Sequence, residues 1–306
     1  MRIAIMGAGG VGGYYGARLA AAGEEVHFIA RGAHLAAIRE HGLKVESQHG
    51  DLHIHPANAT DDPATIGPVD IVLFCTKLWD TESAGEAIRP LIGPDTAVIS
   101  AQNGVEAEAV LGKVLGPGHV MGGVSFIFSL IAEPGRILHS GPAHLLVFGE
   151  MDGAVTPRAE AFLAACKSAG FEARLSENIQ KDLWEKFVYL ASLSGVTCVT
   201  RSSIGPILAE PATRALFEAA ITEAAAVGRA LGAPLSEGVV AERMAMGDGL
   251  PPGVKSSMLN DLERGNRLEL PWLSGGLIRL GREAGIETPT HRFIEQALKL
   301  HAMGRA

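Results

Sequence analysis

One lysine in the second half of the chain has the setting that proton transfer requires. In the segment "SENIQKDLWEKFVYLASLSG", a turn of 100° per residue puts Lys186 about 20° from Ile179, within an apolar stripe that also includes Leu183, Leu190 and Leu193. A cleft-facing lysine that is partly removed from water delivers a proton near neutral pH. The alternative is that Lys186 reaches water from the edge of the core or pairs with a carboxylate.

The first strand-like run, "RIAIM", is followed by a glycine-rich loop in which Gly7, Gly9 and Gly12 fit the pattern G-x-G-x-x-G. In a dinucleotide site these glycines allow a tight turn, leave room for a pyrophosphate and let the next helix pack on the strand. The helix N-terminus also offers unpaired N–H groups to an anion. A turn that is merely rich in glycine is the alternative. We expect this loop to bind the cofactor through Gly7, Ala8, Gly9, Gly10, Val11 and Gly12.

The second strand-like run ends in "HFIARG", where an NAD site normally carries an Asp or Glu for the ribose 2′-hydroxyl. Here Arg31 has no acidic neighbour in its own turn. A guanidinium suits a 2′-phosphate, so we expect the cofactor to be NADP(H). The alternative for Arg31 is a solvated surface arginine.

The elements that would position these residues follow from the alternation of apolar runs and helical patterns. Strands are expected at "RIAIMG", "EVHFIA", "DIVLFCT", "AVISAQ" and "LLVFGE", with helices at 12–22, 33–41, 80–91 and 157–169. This order predicts an α/β fold whose N-terminal domain is a Rossmann-type parallel sheet. From Ser176 onward the strand signals end, so an all-helical C-terminal domain should follow. The predicted domains are 1–176, for cofactor, and 177–306, for substrate and catalysis.

Composition excludes several classes of function. The 306 residues are 47% hydrophobic with a formal net charge of −8, and they contain no basic block that would follow a nucleic-acid backbone. The three cysteines lack the spacing of a disulfide framework or zinc site, and His53 and His55 fit an exposed strand better than a metal site. The apolar start has no cationic lead and is interrupted by glycine, so we expect a cytoplasmic protein without a membrane span.

Six segments in order make the chain resemble the ketopantoate reductase (2-dehydropantoate 2-reductase) family from end to end. They are "GAGGVGGYYG" with Arg31, "CTKLWDTE" with Lys77, "AQNGVE" with Asn103, "LWEKF" with Lys186, "SSMLNDLERGNRLELPWLSG" with Ser257 and Glu269, and "GIETPTH". Six markers in the family's order are far more specific than one dinucleotide fingerprint.

The resemblance implies NADPH-dependent reduction of a 2-oxo acid, most directly 2-dehydropantoate to pantoate for coenzyme A synthesis. It makes Lys186 the general acid and places Lys77 and Asn103 beside the cofactor, with Asn103 also facing the substrate. Ser257 and Glu269 would bind polar groups of the substrate. The expected partner is a small 2-oxo acid, and a homodimer is one candidate assembly.

The residues themselves support part of this assignment. Lys77 and Asn103 each follow a hydrophobic run, and ligands bind at the carboxyl ends of strands in an open parallel sheet. Asn103 has an ordinary turn in "QNG" as its alternative. Glu269 stands shortly before Pro271, near an expected helix N-terminus, so helix capping is its alternative role.

The chain departs from the family pattern near the reacting centre. Asparagines are common in the family one and two turns after the lysine, where this chain has Leu190 and Ser194. Ile-Asp commonly follows the glutamate, where this chain has Leu270 and Pro271. With fewer amide donors, a less polar 2-oxo acid or another ketone is an alternative substrate to ketopantoate.

Two further functions compete with this assignment. A 3-hydroxyacid, imine or opine-type NAD(P)-dependent dehydrogenase shares the same order of domains, but the Lys186 and Glu269 pair argues against it. A non-catalytic NADP(H)-sensing regulatory protein would be expected to lack the proton donor, which is present.

Overall fold

The structure is a computed structural model that describes residues 1–305. It divides into two compact units, of which the first is Met1–Asp182 and the second begins at Leu183. The boundary predicted after residue 176 falls between the last strand, which ends at Leu175, and a long helix that begins at Ile179.

The first unit is built around a ten-stranded sheet, counted over the described residues. Its strands are β1 (Arg2–Met6), β2 (Glu25–Ile29), β3 (Leu43–Glu46), β4 (Leu52–Ile54), β5 (Asn58–Thr60), β6 (Val69–Phe74), β7 (Ile92–Ser100), β8 (Val120–Glu133), β9 (Arg136–Glu150) and β10 (Ala173–Leu175). Its helices are α1 (Gly10–Ala21), α2 (Gly32–His41), α3 (Thr81–Ala87), α4 (Ala107–Leu115) and α5 (Pro157–Ser168).

Six neighbouring strands, β5-β2-β1-β6-β7-β8, run parallel. This is the 3-2-1-4-5-6 order of a dinucleotide-binding sheet. The expected Rossmann-type sheet is therefore present, but the whole sheet is mixed. β9 returns antiparallel to β8 after a turn at Gly135, and β3 and β4 form a second antiparallel pair.

The central strands β1 and β6 are buried on both faces over most of their length, which explains their apolar runs. On β1, Ile3 and Ile5 belong to one apolar cluster and Ala4 to another on the opposite face. β6 repeats the pattern, with Ile71 and Leu73 in the first cluster and its other buried residues in the second. The alternation follows from the two-residue period of a strand.

The described residues of the second unit form helices and connecting loops without strands, and its first helix, α6 (Ile179–Thr200), begins in the first unit. The helices that follow are α7 (Ile204–Ala209), α8 (Pro211–Ala230), α9 (Val239–Asp248), α10 (Ser257–Arg264), α11 (Ser274–Ala284) and α12 (Pro289–Leu298). This confirms the predicted helical second half. Across residues 1–305, no helix combines the length and the apolar character needed to cross a membrane.

Candidate active site

The first unit places four predicted loops at one edge of its sheet. β2, β1, β6 and β7 are parallel neighbours, so their carboxyl ends meet there. The backbone N–H of Cys75 donates to Met6 O at 2.8 Å, and that of Ala101 donates to Phe74 O at 2.9 Å. These bonds join the loops that follow β1, β6 and β7, which is where ligands bind in such sheets.

The glycine-rich loop after β1 is anchored to the end of β2. The backbone N–H groups of Gly7 and Ala8 both donate to Ile29 O, at 3.2 and 3.0 Å. Gly7 has φ +93°, a conformation that side chains rarely adopt, which explains the requirement for glycine at this turn.

The remaining glycines of the loop differ in what surrounds them. A Cβ on Gly12 would lie 2.3 Å from Gly7 O and 2.7 Å from Ile5 Cγ2, so glycine here lets α1 pack directly on β1. A Cβ on Gly10 would lie 2.4 Å from Ser129 O, because α1 begins against the backbone of β8. A Cβ on Gly9 would meet nothing within 4 Å. Gly9 is therefore the position where open space borders the loop.

The start of α1 suits an anion. Gly9 is the N-cap residue and supplies no side-chain bond to the first turn, which contains no acidic residue. The first N–H groups of a helix have no intrahelical partner and carry partial positive charge. Ala8 is buried and Val11 is half-buried, so chiefly the backbone atoms of these two residues would be available to a ligand.

Arg31 is the N-cap residue of α2, makes no side-chain capping bond and is largely exposed, with 78% of its side chain accessible. Its Nη2 donates to Asp80 Oδ2 at 2.8 Å. The arginine therefore has no acidic neighbour in its own turn but has one from the loop after β6, which its local sequence does not reveal.

Lys77 and Asn103 lie in the loops after β6 and β7. Lys77 is exposed, and its Nζ is 5.8 Å from the ring centroid of Trp79. Asn103 is half-buried and precedes Gly104, whose φ of +94° turns the chain. The two residues thus stand on neighbouring loops of the same edge.

Sequence reasoning missed two residues that hold this edge together. Gln102 is buried, and its Nε2 donates to Thr76 O and Thr81 Oγ1, both at 3.0 Å. His34 accepts the N–H of Gly135 at Nδ1 and donates from Nε2 to Ala8 O at 2.8 Å. Burial lowers the pKa of His34, which keeps the imidazole in the neutral form that both bonds require. Within "AQNGVE" only Asn103 was predicted as a site residue, and no local motif marks His34.

In the second unit, α6 is more deeply buried than the predicted apolar stripe implied. The helix starts where Asn178 Oδ1 accepts the N–H of Lys181 at 3.1 Å, and nearly all its residues from 187 to 198 are buried. Lys186 and Leu190 are half-buried. Lys186 and Leu190 thus form a less buried side of a helix that is otherwise enclosed. The predicted stripe around Lys186 does not face only the core.

The same side of α6 carries further polar groups toward its C-terminus. Ser194 is fully buried, and its Oγ has no hydrogen-bond partner among residues 1–305. Thr197 lies three turns after Lys186, about 20° away on the wheel. Thr197 Oγ1 donates to Leu193 O, so the Ser256 hydroxyl, 2.7 Å away, donates to Thr197.

Ser257 and Glu269 lie on separate segments of the second unit. Ser257 is exposed at the first position of α10, where the cap is made by the buried Ser256, whose Oγ accepts the N–H of Leu259 at 3.0 Å. Glu269 is buried in a turn before α11, whose N-cap residue is Leu273. Glu269 is therefore not itself the N-cap residue of that helix.

Within residues 1–305, no group of three or more His, Cys, Asp or Glu side chains has an arrangement able to hold a metal ion. The strand order and the glycine loop are those of the Rossmann class of dinucleotide-binding proteins.

Comparison with known proteins gives the family. The family model of ketopantoate reductase PanE/ApbA matches residues 3–153, and the model of the family's C-terminal domain matches residues 178–302. The chain is 32% identical to the 2-dehydropantoate 2-reductase of Mesorhizobium japonicum, over 95% of this chain and 94% of that protein. It is 30% identical to the uncharacterized oxidoreductase YkpB of Bacillus subtilis, over 98% and 99% of the two chains.

A solved structure agrees with these matches. The PanE/ApbA family ketopantoate reductase of Ralstonia eutropha superposes with a TM-score of 0.90 at 33% identity, covering 99% of this chain and 98% of that one. The chain belongs to the ketopantoate reductase family and is an oxidoreductase of that family. The resemblance predicted from the six segments is confirmed.

Proposed function

We propose that the protein catalyses NADPH-dependent reduction of a 2-oxo acid to a 2-hydroxy acid, with 2-dehydropantoate as the first candidate substrate. The observation that carries this proposal is the family match over both units together with the open loop at Gly9. Membership of this family favours it over a 3-hydroxyacid, imine or opine-type dehydrogenase and over a non-catalytic sensor. The cytoplasmic location expected from the sequence belongs to the same proposal.

The residues present fit a dinucleotide. Gly9 leaves a space that any side chain would occupy, beside the uncapped N-terminus of α1, and this suits a pyrophosphate. Arg31 is the cation assigned to a 2′-phosphate, and Lys77 and Asn103 border the same edge. When bound, NADPH supplies the hydride for reduction of the substrate carbonyl.

Lys186 is assigned the proton that this reduction needs. Hydride addition to a ketone builds negative charge on the carbonyl oxygen, and an ammonium within hydrogen-bond reach stabilises that charge and protonates it. The half-buried position of Lys186 on an enclosed helix supports this role, since partial burial strengthens its interaction with a bound anion. Ser257 and Glu269 are assigned to polar groups of the substrate.

A second candidate substrate is a 2-oxo acid with a plain alkyl branch, such as 2-oxoisovalerate. Leu190 offers an apolar, half-buried surface one turn after Lys186. Ser194, two turns after it, has a short side chain whose buried hydroxyl lacks a partner among the described residues. Leu190 has no donor for the terminal hydroxyl of ketopantoate, and Ser194 has a single hydroxyl.

A panel of 2-oxo acids tests the proposal, with NADPH oxidation followed at saturating cofactor. We expect turnover with several members, and a ratio of kcat/KM between ketopantoate and 2-oxoisovalerate within roughly 10- to 200-fold. A preference for ketopantoate of about ten-thousandfold would show that its hydroxyl is specifically bound and would exclude the second candidate. Absence of turnover with every 2-oxo acid would contradict the proposed function.

A further inference from the structure

Asp80 occupies a helix N-cap position but does not cap the helix. It precedes α3, yet its carboxylate makes no bond to the first turn of that helix. Aspartate at this position ordinarily accepts a backbone N–H of the first turn. Asp80 instead accepts from Arg31 Nη2 at 2.8 Å, although the two residues are 49 positions apart in sequence.

The pair lies at the surface, where it can rearrange. Arg31 exposes 78% of its side chain and Asp80 27%. Ion pairs this exposed contribute little to stability, because water competes for both groups. A guanidinium has five N–H donors, so one bond to Asp80 leaves donors on Arg31 for a second anion.

A second anion on Arg31 would nevertheless meet an unfavourable field. A phosphate that contacts the guanidinium would stand within one Debye length, roughly 8 Å at physiological ionic strength, of the Asp80 carboxylate. Like charges that share one cation repel, and a dianionic phosphate is affected more than a neutral hydroxyl. Asp80 therefore weakens the binding of a ligand whose phosphate contacts Arg31. It has almost no effect on the binding of a ligand that has a hydroxyl in the same place.

We infer that Asp80 is a specificity-determining residue that reduces the preference of this protein for NADPH over NADH. The inference rests on the proposed function, in which Arg31 binds the 2′-phosphate. Asp80 places a carboxylate beside Arg31 from the loop after β6, whereas the turn after β2 holds no acidic residue of its own. It acts by repelling the 2′-phosphate and not as the acceptor for the ribose 2′-hydroxyl that an NADH enzyme carries after β2.

The test is Asp80→Asn, with the dissociation constants of NADPH and NADH measured separately by fluorescence titration of the full chain without substrate. Removing the carboxylate charge should tighten NADPH binding by about five- to tenfold and change NADH binding by less than about twofold. The gain should shrink as salt is raised from about 50 to 500 mM, because the repulsion is screened.

Asp61→Asn is the matched control. Asp61 also forms an exposed pair with an arginine of α2, since Arg39 Nη2 lies 3.3 Å from Asp61 Oδ1. This variant removes the same charge from the same unit and should leave both dissociation constants unchanged.

Three outcomes would overturn the inference. An unchanged ratio of dissociation constants in Asp80→Asn would show that the carboxylate does not act on the phosphate. Weaker NADPH binding in that variant would show that Asp80 serves to position Arg31. Equal gains in both variants would show a general charge effect. Failure of the wild-type protein to bind either cofactor would instead contradict the proposed function, and the inference with it.

Discussion

Gly9 and Gly12 allow cofactor binding to be separated from folding. Gly9→Ala adds a methyl group where nothing lies within 4 Å, at a residue with φ −76°, which L-residues adopt freely. The folded state should therefore tolerate it, with a change in the free energy of unfolding within about 0.5 kcal/mol. If a pyrophosphate lies against this loop, the same methyl group occupies the space that the ligand needs.

The expected loss of affinity follows from the cost of overpacking. An extra methyl group in a filled site costs typically about 1–3 kcal/mol, so Gly9→Ala should raise the dissociation constant of NADPH by about 5- to 150-fold. Gly12→Ala is the contrasting variant, because its Cβ would lie 2.3 Å from the backbone oxygen of Gly7. It should lose both affinity and thermal stability, since α1 must move away from β1.

The assay pairs fluorescence titration of NADPH with thermal unfolding of the cofactor-free protein. Gly118→Ala is the neutral control, since its Cβ also meets nothing within 4 Å and lies outside the glycine loop. Wild-type affinity in Gly9→Ala would refute the assignment of the loop to the pyrophosphate. A large fall in the melting temperature of Gly9→Ala would refute the reasoning from open space.

Two further predictions concern Arg31 and a buried histidine. Arg31→Asp should weaken NADPH binding by about 2 kcal/mol, roughly thirtyfold, as expected for a lost charge-assisted bond; equal affinity of the wild type for NADPH and NADH would contradict the assignment. His291 is fully buried, and burial lowers its pKa. Below about pH 6.5 the unfolded chain therefore binds a proton at this histidine that the folded chain does not bind, so the free energy of unfolding should fall as the pH drops. His291→Gln should reduce the slope of the unfolding free energy against pH, measured between pH 7.5 and 5.5, by up to about 1.4 kcal/mol per pH unit. An unchanged slope would exclude this histidine as the source of the pH dependence.

The strongly apolar strands and the glycine loop could be predicted because their sequence signals are local. Strands β1 and β6 and the second half of β7 are largely buried on both faces and therefore appear as apolar runs. Short strands such as β5, with sequence "NAT", carry no such signal and form only because a neighbour offers its edge. The long β8–β9 hairpin was missed although "EPGR" is a turn signal at its tip.

The candidate site was predictable only where one residue carries the signal by itself. Arg31 was predicted as a site residue from its place after a strand, but its partner Asp80 comes from another loop and becomes visible only once the strands are paired. Gln102 and His34 likewise act through backbone atoms distant in sequence. Lys186 was predicted as a site residue from its helical position, whereas the burial around α6 depends on the packing of the helical unit.

The central claim is that this chain transfers hydride from NADPH to a 2-oxo acid with Lys186 as the proton donor. The most direct measurement compares the wild type with Lys186→Ala in one assay that follows NADPH oxidation and formation of the 2-hydroxy acid from 2-dehydropantoate. We expect the wild type to form NADP⁺ and the 2-hydroxy acid in equal amounts, and Lys186→Ala to have an at least hundredfold lower kcat with an unchanged dissociation constant for NADPH. Full turnover by Lys186→Ala, or NADPH oxidation without a 2-hydroxy acid product, would contradict it.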